Sequence, residues 1–144
     1  MSEAALLSYV NFFHKLDKGN LENLETVMTE DIHFIDPFND VVGLDKVKTI
    51  FHHMFLNMPD SKFVITQYAL AHKEQATGLL HWNFIGTAPG AKRPIKITGM
   101  SILRFGKDGR VSEHIDHWDA AQQFYERIPV LNLILRRIRK RIEV

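Results

Sequence analysis

Seven consecutive residues, Glu113-His114-Ile115-Asp116-His117-Trp118-Asp119, hold the densest chemistry in this chain. A Gly109 turn and Val111 precede them, so they read as a strand whose side chains alternate between faces. His114, Asp116 and Trp118 then share one face, while Glu113, Ile115 and His117 share the other. An imidazole, a carboxylate and an indole two residues apart suit proton transfer beside an apolar ligand. They suit a hydrophobic core poorly, because buried charge needs partners. The pattern predicts a polar-floored pocket.

Size and composition bound the rest. A chain of 144 residues suits one domain with one sizeable core, and 45% hydrophobic with 24% charged residues is ordinary for a soluble globular protein. There is no cysteine, hence no disulfide and no thiolate chemistry. No leader-like segment and no stretch of membrane-spanning length is present, which fits a cytoplasmic location. The net charge of +1 is unevenly spread: Arg136, Arg137, Arg139, Lys140 and Arg141 against Glu143 give the tail +4. The remaining 13 basic and 16 acidic residues leave the body at −3, which argues against a nucleic-acid partner.

The elements that must position these groups can be read along the chain. Leu6, Tyr9, Val10, Phe13 and Leu16 recur at helical spacing behind a candidate cap at Ser2, and Gly19 ends that helix. Asn20 is placed to cap a second short helix through Leu21, Leu24 and Val27. A strand over 32–38 closes at Pro37, and a third helix after Gly43 presents Val47, Ile50, Phe51, Met54 and Phe55. Four strand-like runs follow over 63–71, 76–86, 95–105 and 111–118, separated by turns at Lys73-Glu74, Ala88-Pro89-Gly90 and Lys107-Asp108-Gly109. Asp119 is placed to cap a further helix, and Pro129 opens a last one. Helices first and a meandering sheet afterwards predict an α+β domain over 1–128, followed by a basic amphipathic helix over 129–144.

Several short landmarks occur in a telling order: Asp36-Pro37-Phe38, the Gly43 helix start, Leu103-Arg104-Phe105 and Asp108-Gly109-Arg110-Val111. In that order the chain, over roughly residues 5–127, resembles the nuclear transport factor two-like superfamily. That group includes SnoaL-like cyclases, ketosteroid isomerases and limonene epoxide hydrolases. The resemblance implies a curved, mostly antiparallel sheet wrapped around the N-terminal helices, a cystatin-like cone with an internal pocket. It also implies Asp36 as a catalytic base, since the isomerase base precedes that proline. The isomerase oxyanion tyrosine falls on Phe12 and its protonated acid on Ser101, so steroid isomerisation by that donor pair is not expected. The epoxide hydrolases' last-strand carboxylate falls on Asp116, but their arginine and second aspartate fall on His81 and Asn83.

The resulting candidate site has Asp36, His114 and Asp116 as catalytic groups. Tyr9, Phe12, His81, Asn83, Ser101 and Trp118 are its substrate-binding residues. Plainer readings stay open: Asp36 as a turn cap, and His114 with Asp116 as a structural pair. If His81 and Asn83 point inward, as expected here, Leu80, Trp82 and Phe84 point outward and call for a homodimer across the sheet face; in the reverse register the trio is core and both polar residues lose their role. No metal is expected, since the adjacent His52-His53 cannot face one another on a helix and His114, Asp116 and Asp36 come without a third spaced histidine; no cofactor is expected, and no glycine-rich phosphate loop appears.

Together these features predict acid/base chemistry on a small hydrophobic molecule: isomerisation, dehydration, cyclisation or water addition. The alternative is a non-catalytic binding or carrier module for a hydrophobic ligand. Leu131, Ile134, Leu135, Ile138 and Ile142 form a stripe among the tail's basic residues. Such a stripe either packs on the protein or contacts an anionic membrane peripherally.

Overall fold

Helix α1 (Glu3–His14) forms where Leu6, Tyr9, Val10 and Phe13 recur at the helical period, and all four are buried. The computed structural model describes residues 3–72 and 76–144; the Ser2 cap and the Lys73-Glu74 turn lie outside the described residues. The expected short second helix forms as a 3-10 segment, Leu21–Thr26, without the expected Asn20 side-chain cap. Its would-be cap is spent on the loop before it: the Asn20 side chain donates to the Lys15 carbonyl and accepts from the Asp17 amide.

Strand β1 (Met28–Ile35) stops short of Pro37 rather than running to Phe38, because Asp36 folds the chain into a turn. A short β2 (Asp40–Val42) returns antiparallel to it. Gly43 then swings into α2 (Leu44–Asn57) with a φ of 114°, in the left-handed region that a side chain resists. Strands β3 (Lys62–His72), β4 (Thr77–Gly86), β5 (Ile95–Phe105) and β6 (Val111–His117) match their expected bounds to within one residue.

The six strands run in the order β2-β1-β6-β5-β4-β3; β1 and β6 are parallel and every other pair is antiparallel. Register slips in β1–β6, β3–β4 and β5–β6 bend the sheet without closing it. The curved sheet wraps α1 and α2, giving the expected α+β cone. Phe51 and Phe55 of α2 meet Phe34, Trp82 and Leu103 of the sheet in one continuous core.

The facing of β4 is the reverse of the expected one. Leu80, Trp82 and Phe84 are 2%, 5% and 6% exposed and belong to the core. His81 and Asn83 therefore lie on the opposite face, where Thr66 Oγ1 pairs with His81 Nδ1 at 2.5 Å and Thr98 Oγ1 donates to Asn83 Oδ1 at 2.8 Å. Burial decides the orientation: each large apolar side chain gains about 1.5–3 kcal/mol inside, whereas a histidine and an asparagine are satisfied at the surface. Space confirms it. Trp82 pairs with Gly99, and a Cβ there would lie 2.5 Å from the indole ring. His81 and Asn83 are thus not pocket residues, and the Leu80, Trp82, Phe84 trio cannot supply a sheet-face dimer contact.

Beyond β6, Asp119 caps α3 (Ala120–Gln123) as expected, its Oδ1 accepting from the Gln122 amide at 3.0 Å. A second 3-10 segment (Tyr125–Arg127) leads to α4 (Leu131–Lys140), none of whose side chains is buried. Among the described residues no helix is long and apolar enough to cross a membrane.

Candidate functional site

The last strand delivers what its alternation promises. His114 and Asp116 point into the cone, and β5 sets Ser101 directly opposite Asp116. From α1, Tyr9 reaches across the core, its hydroxyl 2.6 Å from His114 Nδ1. His114 Nε2 lies 2.7 Å from Asp116 Oδ1, and the Ser101 hydroxyl donates to that same oxygen at 2.5 Å. The Trp82 indole N–H donates to Ser101 Oγ at 2.8 Å. Every donor finds an acceptor if His114 carries its proton on Nε2 and accepts the Tyr9 O–H at Nδ1, a tautomer assigned from hydrogen-bond roles.

Five side chains from four elements thus form one network, in which His114 and Ser101 bond Asp116 Oδ1 directly while Tyr9 and Trp82 hold those two in place. Tyr9, His114 and Ser101 are almost fully buried, while Asp116 keeps 15% of its side-chain surface open. Its second oxygen, Oδ2, has no hydrogen-bond partner among the described residues and is not sealed from solvent. A cavity of about 290 Å³ lies against it, walled by Phe34, Phe51, Phe63, Trp82 and Phe84, with Phe38, Trp118 and Phe124 also lining it. A chamber of about 20 Å³ adjoins it, bordered by Ser101, His114 and Asp116. That is room for about one water molecule.

The arrangement is not a nucleophilic triad. Ser101 donates to the carboxylate rather than to the imidazole, and both imidazole nitrogens are engaged. His114 therefore holds and polarises Asp116, and it can touch a ligand only by breaking one of its two bonds.

Burial, and after it the nearby Asp116 charge, pushes the Tyr9 phenol well above its usual range. The phenol stays protonated in the folded chain while the unfolded one ionises near pH 10, its ordinary value. Stability that Tyr9 holds below that pH is lost as pH rises past it. The slope is about 1.4 kcal/mol per pH unit until the folded-state value is passed. Urea unfolding of Tyr9→Phe across pH 8–11 should show a shallower alkaline limb than the native chain. Parallel limbs in the two proteins would contradict the assignment.

The other expected site residues fare differently. Asp36 lines the cavity, but its Oδ1 accepts from the Phe38 and Asn39 amides, both at 2.7 Å, and from Asn39 Nδ2 at 3.1 Å. It caps the turn before Pro37, and no hydrogen bond joins it to His114 or Asp116 among the described residues. Phe12 is half-buried and borders neither the aromatic cavity nor the inner chamber; Phe13, one residue on and four from Tyr9, borders the inner chamber instead. Trp118 keeps its expected place on the wall, edge-on to Phe38 with ring centroids 5.5 Å apart.

The reading of the sequence missed Trp82 as a donor. Its signal lay in β5, where Gly99 and Ser101 supply the gap and the acceptor an inward indole needs. Among the described residues no group of three or more His, Asp or Glu is placed to hold a metal ion.

Solved structures share this architecture. An NTF2-like protein of unknown function from Exiguobacterium sp. 255-15 is 19% identical with a TM-score of 0.67, the match covering 80% of this chain and 98% of that one. A protein with a ketosteroid isomerase-like fold from Catenulispora acidiphila, solved with trimethylamine, is 13% identical with a TM-score of 0.70, covering 85% and 91%. An LEH-like epoxide hydrolase from M. tuberculosis is 13% identical with a TM-score of 0.64, covering 84% of each chain. At such identities the likeness establishes the fold alone. No curated protein matches the chain in sequence. The sequence pattern of the SnoaL-like domain matches residues 9–114, from Tyr9 on α1 to its hydrogen-bond partner His114 on β6, and the chain belongs to that family.

Proposed function

We propose that this SnoaL-like protein is a cofactor-independent acid/base enzyme acting on a small apolar molecule, with Asp116 as the proton acceptor. The observation that carries the reading is the division of labour on Asp116. Oδ1 is held by His114 and Ser101, while Oδ2, at the wall of an aromatic cavity, has no partner among the described residues. Two donors on one oxygen fix the carboxylate's direction, and low-dielectric walls strengthen its pull on a substrate proton. The proton goes to Oδ2, either from an acidic C–H of the ligand or from a water in the inner chamber. Isomerisation, dehydration, cyclisation and water addition all begin with such a transfer.

A carrier function is the second reading, favoured by one observation. Asp36, the base that the isomerases would lend, is tied up at Oδ1 by backbone donors and at Oδ2 by the Asn39 side chain, which leaves Asp116 Oδ2 as the one unpartnered carboxylate oxygen in a mostly apolar cavity among the described residues. Deuterium exchange separates the two readings. Small molecules that co-purify with the native protein would be identified by mass spectrometry and returned to it in D₂O. Under the catalytic reading, NMR shows protein-dependent deuteration or conversion of the ligand. Tight binding with no exchange and no conversion would assign the protein to the carriers.

A further inference from the structure

The tail helix leaves an apolar edge uncovered. Leu131, Leu135 and Arg139 of α4 are half-buried, and Arg139 bonds Glu126 at 2.6 Å, which ties the helix to the Tyr125–Arg127 segment. Ile134, Ile138 and Ile142 run beside that contact, four residues apart in one row, at 53%, 53% and 76% exposure, and Ile138 and Ile142 also border an open groove against Asp119, Ala121 and Glu126. Backbone bonds from Ile142 and Glu143 to the Arg139 carbonyl carry the turn past Lys140, so the row continues through Ile142. Arg137 and Arg141 border it on the side away from Leu135. Among the described residues, Arg136, Arg137, Lys140 and Arg141 have no acidic group within ion-pair distance; Arg139 alone of the five is paired, with Glu126 and Glu143.

We propose that α4 docks along this edge onto an anionic lipid surface, the isoleucines entering the headgroup boundary and the arginines meeting lipid phosphates. Charge selects this occupant. A second copy seated on the same row would bring Arg137 and Arg141 of both chains together, four unpaired cations that repel. An anionic bilayer neutralises them while it covers the row. Neither feature suffices alone: three isoleucines bury little area, and bare cations bind any polyanion. The proposal is independent of what the cavity holds.

The test uses the full chain and sedimentation with vesicles of phosphatidylcholine, alone or mixed with phosphatidylglycerol. Binding to the anionic vesicles only, weakening as salt rises, is expected. The pair Arg137→Gln and Arg141→Gln should weaken it ~30-fold, two basic contacts of about fivefold each. The pair Ile138→Asn and Ile142→Asn should weaken it by at least as much, with thermal unfolding unchanged in both variants because the replaced side chains are exposed. Equal binding to neutral vesicles, or no binding at all, overturns the proposal. So does retention of binding by the isoleucine variant, which would leave only a polyanion site. A shift of that variant from dimer to monomer with vesicle binding intact would give the edge to a second copy instead.

Discussion

Replacing Asp116 by asparagine is expected to lower ligand conversion or exchange by about 10³-fold while moving the melting temperature by no more than about 3 °C. The two effects separate because the side chain has two jobs on two oxygens. Asparagine keeps an Oδ1 that accepts from His114 and Ser101, so the buried network retains its acceptor. It has no second oxygen to take a proton, so the chemistry stops. Asp36→Asn in the same assay should cost less than about tenfold, because that carboxylate is already committed to the Phe38 and Asn39 donors. Steady-state rates on the identified ligand, read beside thermal unfolding, check both. If Asp36→Asn proved the more damaging variant, the base would move to Asp36 and the assignment of Asp116 would fall.

How far the site could be read in advance depends on what each residue's placement rests on. His114, Asp116 and Trp118 were legible because a strand's two-residue period is local, and one buried member fixes the rest. The buried face of α1 was legible for the same reason at the helical period. It already contained Phe13; Phe12 entered only by counting residues back from a glycine, which assumes a loop of unchanged length. The facing of β4 was not legible, since Leu80-His81-Trp82-Asn83-Phe84 alternates perfectly under either orientation. The tie is broken on another strand, by Gly99 lying opposite Trp82 and by Ser101 needing company. That cross-strand register is a tertiary fact. Asp36 is the intermediate case: an aspartate before proline names a turn and a family base equally well, and only the two backbone amides aimed at its Oδ1 show which role its geometry serves.

His114→Ala should be the most destabilising single change at the site, at about 3–5 kcal/mol and a melting temperature lower by roughly 10 °C or more. Three costs add. The missing ring leaves a void among Phe13, Phe34 and Tyr9, whose rings lie 4.9–5.9 Å from it. The Tyr9 hydroxyl loses its acceptor in a fully buried position, and Asp116 Oδ1 loses one of its two donors. Only the second cost involves the Tyr9 hydroxyl, so a double-mutant cycle with Tyr9→Phe, which keeps the ring, isolates it. Tyr9→Phe removes the stranded hydroxyl, and the double variant should be more stable than the sum of the single losses predicts, by about 1–2 kcal/mol. Strict additivity would mean that the 2.6 Å contact carries no energy, and His114 would then act on Asp116 alone. A positive coupling would tie the first helix to the last strand through one imidazole. The residue that aims the carboxylate would then also join the two elements that bracket the domain, and loss of activity in His114→Ala would follow from the displaced Asp116 rather than from any proton His114 hands to the ligand.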